Sequence, residues 1–334
     1  MTDPPRPVLR GGRRRRRRLP PALPLVVVLG LVAWGVLALL DGSGKQSSRV
    51  SDVAPRGRTP AAAASPKRSS RFRVNLDQAD VVKLRFVRKP RAGLLFDVRT
   101  GRVLWRRNPE RQLPIASLTK MMTALVVVER QDPHDRVRIT PRARHTAGSA
   151  VGVLPKRKPV QLETLLNGLL LVSGNDAAVA LAQHTAGTVP GFVELMNRRA
   201  AELGLDCTRF STPHGLRDSG NHSCAADLGS LARTDMHLRR IRRIAGRQRA
   251  VLKFPIKGGR LFLYNNNPLM RQGYRGVTGL KTGYTDRAGP SIVATARHGD
   301  VELGVVLLHS YDPATQARKL LDRGFKATRL ANHR

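Results

Sequence analysis

The sequence predicts an α/β (α+β) fold, with one antiparallel sheet flanked by helices and a further group of helices in an all-α lobe. Two groups of apolar runs separated by turn residues, one from Ala92 and one from Gly279, indicate β-hairpins. Apolar residues at helical spacing fill the chain between these two groups, and they recur in its last stretch. The length of 334 residues, 41% of them hydrophobic, is sufficient for a core of this size.

The N-terminal 90 residues differ in composition from the rest. Residues 1–18 end in six arginines and predict a cytoplasmic tail, and residues 19–40 carry no charged side chain and predict a transmembrane signal-anchor. The alternative is a cleaved signal with small residues near Ala38, which would release a secreted protein. Residues 41–90 predict a flexible linker rich in Pro, Ala, Ser and basic residues, followed by an entry segment.

Residues 91–330 are expected to form the catalytic domain. Its first elements are a hairpin over residues 93–106 and a helix over residues 117–131, whose apolar residues recur at helical spacing. The expected middle helices cover residues 160–172, 176–185, 192–203 and 225–243. Asn175 lies at a break between two of them, where it is available as a helix N-cap.

The end of the chain predicts strands over residues 279–284, 291–297 and 301–308, followed by a helix over residues 314–330. Together with the opening hairpin, these strands are expected to form one sheet. The strand that begins at Gly279 is expected at its edge. On this interpretation the chain completes its catalytic sheet and then ends, so membrane attachment is expected at the N-terminus.

The formal net charge is +37, which is compatible with several anionic partners. Only 4% of the residues are aromatic, and the sequence has no zinc-finger spacing or aromatic strand typical of nucleic-acid-binding modules. We therefore do not expect nucleic acid as a partner.

The segment Pro114-Ile115-Ala116-Ser117-Leu118-Thr119-Lys120 places a serine and a lysine three residues apart at a helix start. Such residues lie on one face, so the amine can reach the hydroxyl. Serine is a weak nucleophile until a base takes its proton. A neutral Lys120 is the candidate base, with burial and a second cation, Lys281, as candidate causes of a lowered pKa.

Two later triplets provide candidate partners for this pair. In Ser173-Gly174-Asn175, the hydroxyl is a candidate proton relay and the amide a candidate ligand for a substrate amide. In Lys281-Thr282-Gly283, the cation and the hydroxyl suit a substrate carboxylate, and glycine allows a close approach. An extended peptide can pair with such an edge strand.

The ordered set Ser-x-x-Lys, Ser-x-Asn and Lys-Thr-Gly resembles the serine D-alanyl-D-alanine carboxypeptidases, low-molecular-mass penicillin-binding proteins of the β-lactamase/transpeptidase-like superfamily. The residues around the triplets, and Pro213-His214-Gly215-Leu216, extend the similarity over residues 92–321. The resemblance implies a peptidoglycan stem peptide ending in D-Ala-D-Ala as substrate, acylation of Ser117, and β-lactams as covalent inhibitors. It also implies an oxyanion hole formed by the N–H groups of Ser117 and Tyr284, with no metal or cofactor.

The resemblance leaves other activities open. The alternatives are a D,D-endopeptidase that cuts peptidoglycan cross-links, and a non-catalytic, membrane-tethered scaffold that binds anionic cell-wall polymer. Glu163 lies ten residues before Ser173 and could be read as the carboxylate that activates the deacylating water in class A β-lactamases. We interpret it instead as an exposed helix position.

Cys207 and Cys224 are interpreted as a disulfide that closes a loop in an exported protein. A zinc site with His214 and His222, and a pair of free thiols, are the alternatives.

Overall fold

The computed structural model describes residues 70–216 and 220–332, all within the unit Ala62–Arg334. The predicted tail, the predicted anchor and residues 41–69 of the predicted linker lie outside these residues. Among the described helices, none is both long enough and apolar enough to span a membrane.

The described residues form mixed helices and strands, as the predicted fold class requires. The strands are β1 (Ala92–Asp97), β2 (Val103–Arg107), β3 (Leu113–Pro114), β4 (Arg136–Val137), β5 (Val160–Gln161), β6 (His222–Ser223), β7 (Arg249–Lys253), β8 (Arg260–Tyr264), β9 (Val277–Gly283), β10 (Ser291–His298) and β11 (Val301–Leu308). The α-helices are α1 (Lys120–Arg130), α2 (Pro141–Arg144), α3 (Leu162–Leu171), α4 (Asn175–Ala186), α5 (Val189–Glu202), α6 (Ala225–His237), α7 (Arg239–Ala245), α8 (Pro268–Arg271) and α9 (Pro313–Asn332). Short 3₁₀ helices cover Ser70–Phe72 and Ala116–Thr119.

The main sheet has five strands in the order β2-β1-β11-β10-β9, with antiparallel pairing throughout. The first hairpin and the late strands therefore share one sheet, and β9 lies at its edge, as expected from the sequence. Successive side chains of a strand point to opposite faces of the sheet. In β1 and β11 nearly every side chain is buried, so both faces of these strands are covered. Leu94 and Phe96 face one apolar cluster, whereas Leu95 faces the other, with α9.

Helix α1 lies at the centre of the larger cluster, in contact with α3, α4, α5, α6 and α7. Every side chain from Lys120 to Val127 is buried. A helix surrounded by apolar neighbours on all sides is itself expected to be apolar all round. Lys120 and Thr123 are the exceptions among these residues, and each therefore needs a polar partner inside the protein.

One predicted helix is wrong in detail, and one hairpin has no counterpart in the sequence-based expectations. The helix expected over residues 225–243 is two helices, because Leu238 has extended backbone angles and α7 starts in a new direction. No glycine or proline marks this break. The new direction buries Ile241 and Ile244 and brings Arg242 to Glu302, 2.9 Å away. The hairpin β7–β8 was not expected at all.

The entry segment after residue 70 packs onto the domain. Val82 is buried and donates its backbone N–H to the Leu104 carbonyl at 2.9 Å, and Phe86 packs edge-on against Trp105. This part of the predicted linker therefore contributes to the core beside β2.

Candidate active site

The predicted nucleophile and base meet at the start of α1. Lys120 Nζ lies 2.8 Å from Ser117 Oγ, 2.7 Å from Asn175 Oδ1 and 2.8 Å from the carbonyl oxygen of His214. Lys120 has no exposed surface. The three partners come from three separate segments, so the amine ties the start of α1, the start of α4 and the loop after Phe210 to one point.

The hydrogen bonds of Asn175 decide which of these partners can give a proton to the amine. Its Nδ2 donates to the Ala147 carbonyl at 2.7 Å, so its Oδ1 faces Lys120 as an acceptor. The His214 carbonyl is also only an acceptor. A neutral amine has two N–H donors and one lone pair. The donors serve Asn175 and His214, which leaves the lone pair for the hydroxyl proton of Ser117.

The electrostatics favour the neutral amine. Burial, followed by repulsion from Lys281, holds the pKa of Lys120 well below its usual range, while Asp176 acts in the opposite direction. Burial also lowers the pKa of Lys281 to about 7. The cause anticipated from the sequence, desolvation plus a second cation, is present at this site.

Asn175 does not act as the N-cap of α4, contrary to the sequence-based expectation. Gly174 occupies that position, Asn175 is the first helical residue, and its side chain is used by Lys120 and Ala147. The neighbouring Asp176 accepts the backbone N–H groups of Val151 and Gly152 at 2.9 and 3.0 Å. This carboxylate holds the preceding loop against the start of α4.

Ser173 lies in the break between α3 and α4, with φ of +63°. Its hydroxyl is buried and has no hydrogen-bond partner within the described part of the chain. A left-handed residue other than glycine costs roughly 1–2 kcal/mol, and a buried unpaired hydroxyl costs about 1–3 kcal/mol. Ala116, directly before Ser117, is also left-handed at +46°. Such local costs cluster at functional sites.

Strand β9 brings the third triplet to the same place. A Cβ on Gly283 would lie 2.9 Å from the Ile115 carbonyl oxygen and 3.2 Å from Ser117 N, so only glycine lets the strand pass this close. Lys281 is buried and donates from Nζ to the Thr282 carbonyl at 2.9 Å. Tyr284 follows at the end of the strand with an exposed side chain.

The loop that carries the His214 carbonyl was missed as a functional element. Thr123 Oγ1 on α1 donates to the Pro213 carbonyl at 2.6 Å, next to the bond between Lys120 and His214. Gly215 has φ of +75°, and a Cβ there would lie 1.9 Å from the Ala116 carbonyl oxygen. The Pro-His-Gly sequence was a usable signal, because a glycine fixed in this way marks a close backbone approach.

Cys207 and Cys224 are joined by a disulfide, with their Cα atoms 5.7 Å apart. Both sulfur atoms are therefore engaged, which is inconsistent with the zinc site and the free thiols weighed as alternatives. The bond closes the base of the loop that presents His214 to Lys120.

Glu163 is not the exposed residue that the sequence suggested. Its carboxylate is only 16% exposed and accepts from Arg240 and Arg243, each at 2.7 Å. It ties α3 to α7, so its role is in packing rather than in activating water.

Known proteins resemble this chain in both sequence and fold. The family model described as Peptidase_S11, D-alanyl-D-alanine carboxypeptidase, matches residues 88–311. A D-alanyl-D-alanine carboxypeptidase of Bacillus subtilis, DacF, is 33% identical over 243 residues, 70% of this chain and 62% of its own length. DacB2 of Mycobacterium tuberculosis is 35% identical over 240 residues, 70% of this chain and 81% of its own length.

Solved structures of related proteins resemble this chain in fold. A D-alanyl-D-alanine carboxypeptidase from Mycobacterium tuberculosis H37Rv superposes with a TM-score of 0.68 at 32% identity, over 75% of this chain and 96% of that one. A mutant of the Streptomyces K15 DD-transpeptidase gives a TM-score of 0.66 at 27% identity, over 72% of this chain and 100% of that one.

The Gly215 backbone can be tested with a matched pair of glycines. Gly215→Ala and Gly187→Ala both place alanine at a positive φ, but only Gly215 has an atom within 4 Å of the new Cβ. We expect both variants to lose about 1 kcal/mol of unfolding free energy from strain, and Gly215→Ala to lose more.

Only Gly215→Ala should also slow acylation of Ser117 by a fluorescent β-lactam, by about tenfold or more, because it displaces a hydrogen-bond partner of Lys120. Equal acylation rates in the two variants would contradict the role assigned to this loop.

Proposed function

We propose that this chain, which belongs to the Peptidase_S11 family of D-alanyl-D-alanine carboxypeptidases, removes the terminal D-alanine from peptidoglycan stem pentapeptides. The chain spans 62% of the length of the Bacillus relative, so we argue the activity from the site itself. The observation that carries it is the buried Lys120 amine, 2.8 Å from Ser117 Oγ. Of its three hydrogen-bond partners among the described residues, only this hydroxyl carries a proton that a neutral amine could take.

The first chemical step follows from this arrangement. Neutral Lys120 takes the hydroxyl proton of Ser117 as Oγ attacks the carbonyl carbon of the D-Ala-D-Ala bond. The negative charge that develops on the carbonyl oxygen is stabilised by the N–H groups of Ser117 and Tyr284. Each such donor typically contributes about 2.7–4 kcal/mol in the transition state. The proximity of Gly283 to Ser117 N supports this assignment.

Breakdown of the tetrahedral intermediate requires a proton on the departing D-alanine nitrogen. Ser173 is the candidate relay that passes the proton taken by Lys120 to this nitrogen, because its buried hydroxyl has no hydrogen-bond partner in the described part of the chain. Asn175 orients the substrate amide while it holds Lys120. Water then attacks the acyl carbon, the bond to Ser117 Oγ breaks, a proton of the water returns to Oγ, and the shortened peptide leaves as its carboxylate.

The terminal carboxylate of the substrate is assigned to Lys281 and Thr282. Their strand lies at the sheet edge, where an extended stem peptide can add its own backbone hydrogen bonds. β-Lactams are expected to acylate the same serine. Neither the residues involved nor the chemistry requires a metal or cofactor.

We also propose that residues 19–40 anchor the protein in the cell membrane, with the catalytic domain on the extracytoplasmic side. The support is the charge-free segment after six arginines. The protein should resist extraction from membranes by alkaline carbonate. Its intact mass should show that the N-terminal segment has not been cleaved. A processed, released protein would instead support the cleaved signal.

The activity is tested by measuring D-alanine release from a synthetic pentapeptide. We expect Ser117→Ala to lower the rate by at least about a thousandfold, because the nucleophile and its base act as one unit. Thermal melting should show that the variant is folded.

Cross-linked muropeptides, assayed in parallel, separate the alternatives. Cleavage of cross-links without release from the pentapeptide would indicate the endopeptidase. If the folded wild-type protein is neither acylated by penicillin nor active on either substrate, both enzymatic functions are excluded. The non-catalytic scaffold is then the remaining alternative.

The pH dependence of kcat/KM is expected to be bell-shaped. Activity should rise with pH as Lys120 loses its proton, through a pKa well below 10.5. It should fall again as the free enzyme passes about pH 7, where Lys281 loses the charge that attracts the substrate carboxylate. The fall is at most about tenfold per pH unit.

Lys281→Arg keeps its charge at every pH used, so this variant should lose the falling limb, provided that thermal melting shows it folded. A falling limb that persists unchanged in the variant would exclude Lys281 as its source.

A further inference from the structure

Two adjoining clefts lie where the β4–β5 pair meets the β7–β8 hairpin. Their volumes are about 500 and 510 Å³, and they share Arg136 and Pro159. We refer to them together as the basic groove. The basic side chains that line it are Arg136, Arg138, Lys156, Arg157, Lys158, Lys253 and Arg260.

The described part of the chain does not balance the charge of the basic groove. All seven basic side chains are exposed, and none has a carboxylate within 4.0 Å among the described residues. Nearby carboxylates are engaged elsewhere: Glu163 with Arg240 and Arg243, and Asp135 with His184. The groove therefore presents a local charge of about +7 that no carboxylate of the described residues neutralises, and an external anion can do so.

The backbone holds some of these cations close together. Lys253 and Arg260 are directly opposite each other in the β7–β8 register, where like charges destabilise a sheet. Arg136 donates from Nη2 to the Pro159 carbonyl at 3.2 Å, which fixes it in the wall shared by the two clefts. Repulsion of this kind is relieved when an anion binds between the cations.

The basic groove is separate from the catalytic site. Strand β5 leads directly into α3, and Ser173 follows two residues after that helix. Ten helical residues at 1.5 Å each span roughly 15 Å. An anion in the groove would therefore lie about one helix length from the active site, and no groove residue has a role in the mechanism above.

We propose that the basic groove binds a linear anionic polymer of the cell wall with phosphodiester repeats, and so holds the enzyme beside its substrate. A groove with cations on both walls admits an extended strand. Arginine matches phosphate oxygens with paired hydrogen bonds, and repeated contacts add avidity. The wall setting of this proposal rests on the proposed function, but the binding itself does not.

A bilayer is a plane, and it would contact apolar side chains beside Lys253 and Arg260 as well as the cations themselves. The outward face of the same hairpin carries the cross-strand pair of Val251 and Phe262, which are 48% and 59% exposed. Membrane docking would therefore depend on Phe262 as well as on charge. This difference separates the two partners experimentally.

The test compares two fourfold variants of the full chain. The groove variant is Lys156→Gln, Arg157→Gln, Lys158→Gln and Arg260→Gln. The control variant removes the same charge from exposed positions on α9, with Arg318→Gln, Lys319→Gln, Arg323→Gln and Lys326→Gln. Binding of each to polyglycerol phosphate is measured by titration at several salt concentrations.

We expect the groove variant to bind polyglycerol phosphate at least about tenfold more weakly than wild type. The slope of log affinity against log salt should fall by about 3, since each lost phosphate contact contributes roughly 0.7–0.9. The control variant should remain within about twofold to threefold of wild type. Equal losses in the two variants would overturn the proposal, because net charge alone would then explain binding.

Two further probes test other partners. If phosphatidylglycerol vesicles bind through the groove and Phe262 while polyglycerol phosphate does not bind, the partner is a membrane and the proposal is wrong. Tighter groove-dependent binding of a DNA oligonucleotide with the same number of phosphates would likewise overturn it.

Release of D-alanine from the soluble pentapeptide should be unchanged in the groove variant. Ser117→Ala should lose that release and keep polymer binding. Failure of the groove proposal is therefore distinguishable from failure of the proposed catalytic function.

Discussion

The buried amine of Lys120 is the constraint on which the catalytic half of the structure depends. An amine inside an apolar cluster is tolerated only if its hydrogen-bonding capacity is met and its charge is suppressed. Ser117, Asn175 and His214 meet the first requirement at 2.7–2.8 Å. Burial and Lys281 meet the second. The same conditions that make the lysine compatible with the core make it a base.

A different backbone feature brings each segment of the site to the start of α1. Asn175 reaches the amine because α3 ends and α4 begins around a left-handed serine. The His214 carbonyl reaches it because Gly215 allows the loop to touch the backbone of Ala116, and the disulfide closes that loop. Strand β9 reaches the backbone of Ser117, beside the amine's partner, because Gly283 has no Cβ. Strained or side-chain-free positions therefore surround the nucleophile, as expected where geometry is set by function.

Charge is used in two ways in this chain. Close to the core, arginines are paired with carboxylates and join elements, as Arg240 and Arg243 do with Glu163, and as Arg242 and Arg297 do with Glu302. In the basic groove the cations have no such partners among the described residues, and two of them are opposite each other in a hairpin. The first arrangement stabilises the fold, whereas the second is a surface for an anionic partner.

The sequence by itself determined the fold class, the shared antiparallel sheet and the three triplets, because these depend on local periodicity and short spacing. Ser117 and Lys120 could be paired without a structure, since three residues of helix place them on one face. The Lys-Thr-Gly strand could be placed at an edge. The assignment of the N-terminal segments as tail, anchor and linker rests on composition alone.

Only the tertiary structure decided how the triplets meet. The break at Leu238 has no local signal, because it arises from the packing of Ile241 and Ile244 and from the ion pair of Arg242. Gly215 in the Pro-His-Gly sequence indicates a close backbone approach, but only the fold shows that the His214 carbonyl reaches the amine of Lys120. Asn175 was available as a cap, and it became a partner of Lys120 because the fold brought a buried amine to it from 55 residues away.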